Sequence, residues 1–308
     1  MTFNNNLNNY SGRGNSGGSG GSGFGGGGGG GGGNIFVALL ASSIGRKFGI
    51  PGMIIAAVVV FFFSGGSNMI GGGDDSQQSQ GNSNAFAHCQ SAEDANNNDD
   101  CRILATATSL DDYWSEALPA NVDIQYTQPQ VTIGDGRMTT GCGAANISQS
   151  GPFYCPSDKT VYPSTGFYEQ LNKMGGSDGP FAQEYVTAHE FGHHIQNLQG
   201  NLGLSDYNDP GEDSNAVKME LQADCYAGLW ASHADKGENA LLEPITQDQV
   251  QQAITTAQSI GDDAIQESAG QEVNPDSWTH GSSEQRQESF LRGYQGGTME
   301  SCHEDFRR

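Results

Sequence analysis

Nine consecutive glycines, Gly25 to Gly33, close an opening stretch dominated by Asn, Ser and Gly. Glycine loses the most conformational freedom on ordering and has no side chain to bury. Residues 1–34 are therefore expected to form a disordered tail. The charge divides in a similar place. Residues 1–73 contain no Asp or Glu and three basic residues, Arg13, Arg46 and Lys47. All 36 acidic residues follow, against 10 of the 13 basic ones, a net charge of −26. A surface this acidic repels phosphate backbones, which argues against a nucleic-acid partner.

Between tail and acidic part runs NIFVALLASSIGRKFGIPGMIIAAVVVFFF. Its 16 residues from Phe48 to Phe63 carry no charge. Extension to Ile70 brings the segment to the roughly 20 residues a bilayer span needs. Residues 35–70 are thus expected to form one transmembrane helix. Arg46 and Lys47 just before it would leave the N-terminus cytoplasmic and the acidic part outside the cell membrane. A cleaved signal peptide and a buried core helix are the alternatives; the first would have an unusually long positive region and no clear A-x-A site. Residues 71–84 read as a polar linker, and 85–308 as one domain large enough for a core.

All six cysteines follow the apolar segment, which fits disulfides in an oxidising compartment. Short loops favour Cys89 with Cys101 and Cys142 with Cys155, leaving Cys225 with Cys302. NVDIQYTQPQVTI alternates at Val122, Ile124 and Tyr126, then at Val131 and Ile133, and reads as two short strands parted by Pro129. Residues 158–164 form another candidate strand.

The chemistry concentrates in PFAQEYVTAHEFGHHIQNLQG. Pro180 suits the first helical position and Gly200 the end. On that helix His189 and His193 stand one turn apart on one face, so both imidazoles can reach a single ion. Glu190 lies about 100° round, beside the ion rather than on it. With 7 His in the chain, a chance HExxH falls at about the one-in-a-hundred level. Gly192 between the histidines implies close packing there.

A hydrolytic zinc site wants three protein ligands and an open position. Gln196 and Gln199 stand where the HExxHxxGxxH pattern needs its glycine and its third histidine, so the third ligand has to come from elsewhere. SNAVKMELQADCYAGLWA is a second helix, capped by Ser214, with Val217, Leu221 and Gly228 on its inner stripe. Glu220 and Asp224 fall within about 60° of Val217 at helical spacing. Buried carboxylates need a cation or a partner. Glu220 is therefore the expected third ligand and Asp224 the acceptor that fixes a ligand histidine's tautomer. The bland alternative is a solvated Glu and a structural Asp.

With these residues in view, the chain resembles the bacterial neutral zinc metallopeptidases that carry an N-terminal membrane segment. The resemblance runs from about Ile103 to Phe306. It rests on CGAANISQSGPFYCPSDKTVY, FAQEYVTAHEFGHHIQ, VKMELQADCYAGLWA, AITTAQSIGDDAIQ, WTHGSSEQRQ and the terminal Cys302. It implies an α+β, zincin-like ectodomain with an HExxH active-site helix and a small sheet, preceded by one transmembrane helix. It also implies one Zn²⁺ on His189, His193 and Glu220, with Glu190 as the catalytic acid. The Cys89/Cys101 pair lies outside the shared blocks.

The expected reaction is peptide-bond hydrolysis of a peptide or protein substrate, with zinc activating water and Glu190 moving the proton. His280, in WTHGSSEQRQ, is the candidate donor to the oxyanion, and Arg286 a candidate for a substrate carbonyl or carboxylate. His194 points away from the ligand face and reads as structural. Thr246 and Gln249 form a capping box on a scaffold helix, and Asp262 and Asp263 suit a helix end or, as the less favoured alternative, a calcium feature. The other function class is a catalytically silent domain that binds cell-surface partners. A full set of two histidines and two glutamates favours the enzyme.

Overall fold

The computed structural model describes residues 2–17 and 85–303. In chain order the elements are a 3-10 turn, Ser11–Arg13, and β1, Asn15–Ser16; then helices α1, Ala92–Asn97, and α2, Asp99–Val122. Strands β2, Gln130–Ile133, β3, Arg137–Thr140, and β4, Gly143–Asn146, are followed by α3, Ile147–Ser150. Next come β5, Phe153–Cys155, β6, Thr160–Tyr162, and α4, Phe167–Lys173. The remaining α-helices are α5, Pro180–Gln199; α6, Asn215–Ala231; α7, Gln247–Ser259; α8, Asp262–Ser268; and α9, Ser283–Gly296, with short 3-10 turns at Leu202–Leu204, Pro275–Ser277 and Met299–Cys302.

Helices build the core. Ile103, Leu104, Leu110, Trp114 and Leu118 of α2 bury at helical spacing against Phe181, Tyr185, Phe191 and Ile195 of α5 and Tyr226, Leu229 and Trp230 of α6. From Ala216 to Ala231 only Lys218 is not fully buried, so α6 is the central helix rather than one with a single inner stripe. It approaches α9 very closely: a Cβ on Gly293 would lie 1.9 Å from the Cys225 carbonyl oxygen, and one on Gly228 2.0 Å from that of Phe290. Only glycine at both places permits the contact.

The strands are two to four residues long. The larger sheet has the order β1-β2-β6-β5, with β1 and β6 parallel to β2 and β5 antiparallel to β6; β3 and β4 form a separate hairpin. Val131 and Ile133 do alternate inward along β2. Val122, Ile124 and Tyr126 do not form the other expected strand. Val122 ends α2, where Asp123 adopts a left-handed conformation, and the following residues are irregular.

The fold is therefore mixed, mainly helical with small sheets, and this corrects the expected zincin-like α+β layout with a preceding membrane helix. Among the described residues no helix is long and apolar enough to cross a membrane. The span expected at 35–70 lies outside the described residues. A second correction concerns the opening residues. Within the run of asparagines, Phe3, Leu7 and Tyr10 are spaced to bury together and are at most 3% exposed. Asn4 donates to the carbonyls of Ala240 and Leu242. Arg13 pairs with Asp111, and β1 extends the sheet at Thr132 and Ile133. Residues 2–17 are thus part of the same core as the domain.

Three disulfides join Cys89 to Cys101, Cys142 to Cys155 and Cys225 to Cys302, the pairing that loop length favours. The helix signals also hold. Pro180 opens α5 and Gly200 closes it with a left-handed cap, Ser214 caps α6, and Thr246 with Gln249 boxes α7.

Candidate metal centre

The site lies where α5 crosses α6. Gly192 makes the crossing close, since a Cβ there would sit 2.9 Å from Ala223 Cα and 3.0 Å from its carbonyl oxygen. Ala223 stands beside Asp224 and one turn from Glu220. The missing side chain of Gly192 therefore lets two carboxylates of α6 reach two imidazoles of α5.

Glu220 Oε2 faces both rings, 3.2 Å from His189 Nε2 and 3.5 Å from His193 Nε2. The potential ligand atoms of the three residues all lie within 4.8 Å of one another. Each ring has its other nitrogen committed. His189 Nδ1 donates to Asp224 Oδ1 at 2.7 Å, a carboxylate oxygen that can only accept. His193 Nδ1 lies 2.9 Å from Gln196 Oε1. The amide of Gln196 is oriented by its own Nε2, which donates to the Met219 carbonyl at 2.7 Å and to Gln222 Oε1 at 3.1 Å. Its oxygen must then face His193 and accept. Both Nε2 lone pairs are thereby left for an ion. Two such nitrogens with one carboxylate oxygen fit a zinc ion of the hydrolytic kind, which keeps a further position open.

Electrostatics agree with that assignment. Burial works to lower His189, but Asp224 and Glu220 outweigh it and push the ring up to about 10. Burial works against the Glu220 carboxylate, yet His193 and His280 with the ring hydrogen bonds hold it well below the usual range. Without a cation, these groups share protons where a metal would sit. Burial pushes Glu190 above the ordinary carboxylate value, with His189 and His193 pulling the other way. That direction suits a group that must take and return a proton near neutral pH.

Asp224 is the hub beneath the ligands. Besides His189, it accepts from the Tyr185 hydroxyl at 2.5 Å and from Arg286 Nε and Nη2 at 2.9 and 3.0 Å. Arg286 is buried and bonded in this network, which corrects its candidacy for substrate binding. Its charge offsets that of Asp224 and, through it, holds His189 in place.

His280 lies on the loop before α9. Asp262 Oδ2, at the start of α8, collects the backbone N–H groups of Thr279, His280 and Gly281 at 2.8, 2.7 and 3.1 Å. His280 Nδ1 meets Thr279 Oγ1 at 2.8 Å. Asp262 is thus a loop anchor, in keeping with the helix-end reading. His194 is buried between the Tyr154 hydroxyl and the Thr127 carbonyl, and burial drives it down to about 4. It is structural.

Two residues escape a reading of the sequence. Gln196 stands three positions after His193, a spacing at which helix side chains meet, so a signal existed. Tyr207, whose hydroxyl donates to Glu220 Oε1 at 3.0 Å, sits in a loop with no pattern to mark it.

Comparison with known proteins supports a common family. The profile of a family described as "Putative neutral zinc metallopeptidase" matches residues 5–305. A Mycobacterium tuberculosis protein named "Uncharacterized protein Rv2575" is 45% identical over 222 residues, covering 70% of this chain and 74% of its own. The Escherichia coli K12 protein named "Uncharacterized protein YpfJ" is 41% identical over 206 residues, covering 65% and 68%. No solved structure matches.

Proposed function

The chain belongs to this family of neutral zinc metallopeptidases, and we propose that it hydrolyses peptide bonds with one zinc ion held by His189, His193 and Glu220. One observation carries the reading. Two ring nitrogens, freed by Asp224 and Gln196, converge on one carboxylate oxygen while the buried carboxyl of Glu190 stands on the same helix.

A zinc ion would supply Lewis-acid activation of water and of the scissile carbonyl. The chain's own residues do the rest. A Glu190 carboxylate oxygen takes the proton of the attacking water and returns it to the leaving amine nitrogen. His280, whose ring lies close enough to Glu220 to help hold its carboxyl down, donates to the carbonyl oxygen as negative charge develops. Asp224, with Arg286 behind it, keeps His189 in one tautomer. The substrate is a peptide or protein segment. The three disulfides support an oxidising compartment for the domain and for residues 2–17 packed on it.

The test is cleavage of a diverse peptide library by the oxidised, zinc-loaded protein beside its Glu190→Gln variant. Cleavage by the parent alone is expected. Silence from both, with zinc bound, would discard the peptidase reading in favour of a binding role.

A further inference from the structure

We infer that Tyr207 is a positioning residue that restricts Glu220 to a single metal-facing oxygen; the inference rests on the zinc reading above. The two oxygens of Glu220 have different partners. Oε2 faces the ring nitrogens of His189 and His193 at 3.2 and 3.5 Å. Oε1 accepts the Tyr207 hydroxyl at 3.0 Å. A carboxylate can offer a cation one oxygen or both. A hydrogen bond on one of them occupies a lone pair and favours the single-oxygen mode. Two imidazoles and one oxygen leave a tetrahedral zinc ion one open position, whereas a second oxygen would compete for it. Tyr207 thereby keeps clear the place that water needs.

The loop that carries Tyr207 is braced by contacts from several elements. Tyr207 lies on the loop between α5 and α6, and that loop is tied to the one before α9. The Gly211 N–H donates to the Trp278 carbonyl at 2.8 Å. Trp278 packs on Val217 and Leu221, on the same helix as Glu220. Asp262 gathers the next three backbone N–H groups. The Tyr207 and His280 rings then lie 6.4 Å apart, centre to centre. The two loops form one braced rim on Glu220, so the hydroxyl is presented to Oε1 by the fold.

The test compares the full chain with Tyr207→Phe, which keeps the ring and removes only the hydroxyl. Both are stripped with a chelator, then titrated with zinc against a competing dye and, separately, with Co²⁺. The parent should bind one equivalent and show the intense visible absorption of four-coordinate Co²⁺. Tyr207→Phe should bind zinc about 10–100-fold more weakly and show the weaker absorption of a higher coordination number. Its metal-free unfolding midpoint should match the parent's. Equal zinc affinity and an equal cobalt spectrum would overturn the inference. So would a fall in the metal-free midpoint that accounts for the lost affinity. A parent that takes up neither ion would instead remove the zinc reading itself, and this inference with it.

Discussion

Asp224 Oδ1 accepts the Nδ1 proton of His189 at 2.7 Å while Arg286 grips both oxygens of the same carboxylate from α9. Helix α5 with its two histidines, the central helix α6 and helix α9 are thus joined through one buried charge network. A buried ion pair broken on one side leaves the other charge uncompensated, at a cost of about 3–5 kcal/mol. Asp224→Ala should lose stability on that scale, read by denaturant unfolding of the metal-free protein. Asp224→Asn keeps the shape, yet should still weaken zinc binding by about 10–100-fold, read by chelator competition.

Gln196→Leu tests the other ring. It removes the acceptor for His193 Nδ1 and strips a donor from the Met219 carbonyl. The lost hydrogen bonds should cost about 1–3 kcal/mol. Zinc affinity should fall while His189 keeps its partner, so adding Asp224→Asn should weaken binding further. A Gln196→Leu protein with parental zinc affinity would show that the His193 tautomer is set elsewhere.

Zinc binding should tighten as pH rises. His189 is pushed up to about 10 by Asp224 and Glu220, against its burial, so the metal-free ring holds a proton that an ion must displace. One released proton corresponds to about tenfold tighter binding per pH unit below that value. Isothermal titration in buffers of different ionisation enthalpy counts the protons directly. The metal-free protein should follow the opposite trend for this group. Its contribution is whole below the unfolded histidine value of about 6.5 and is lost as pH rises toward about 10.

Glu184, five residues before His189 on α5, is fully buried, with Thr2 and Arg102 the described groups that favour its charged form. Burial pushes it up to about 8. The folded protein thus binds a proton that the unfolded chain releases near the ordinary carboxylate value, so this group lowers stability as pH climbs from about 4.5 to 8. Glu184→Gln should stabilise the protein on the order of 2–4 kcal/mol at pH 8 and hardly at all at pH 4. Melting curves at the two values decide it.

Gly192→Ala sets helix propensity, worth about 1 kcal/mol in favour of alanine, against a Cβ placed 2.9 Å from Ala223 Cα. The obstacle is backbone, which cannot swing away, and overpacking costs about 1–3 kcal/mol. A small net loss of stability is expected. The loss of zinc affinity should be disproportionate, because α5 and α6 must separate at the point where their ligands meet. Parallel measurement of unfolding and zinc uptake separates the two.

Local order determined what the sequence alone could show. HEFGH places two imidazoles one turn apart whatever surrounds them, and Pro180, Gly200, Ser214 and the Thr246–Gln249 pair mark helix ends through bonds made within a few residues. Glu220 and Asp224 stand out because helical spacing puts them beside Val217 on the inner stripe of their helix, and buried carboxylates demand partners. Tertiary structure decided what depends on neighbours distant along the chain. Arg286 is 62 residues from Asp224, and only packing shows it spent on that carboxylate rather than free for substrate. Gln196 became an orienting group only once the Met219 carbonyl had claimed its amide nitrogen. Phe3, Leu7 and Tyr10 lie in the stretch expected to be disordered, because three side chains bury nothing by themselves and need the surface that α2, the Leu242 segment and the residues around Ser91 provide. Spacing along a helix is a property of the backbone, whereas the partner of a buried charge is chosen by the whole fold.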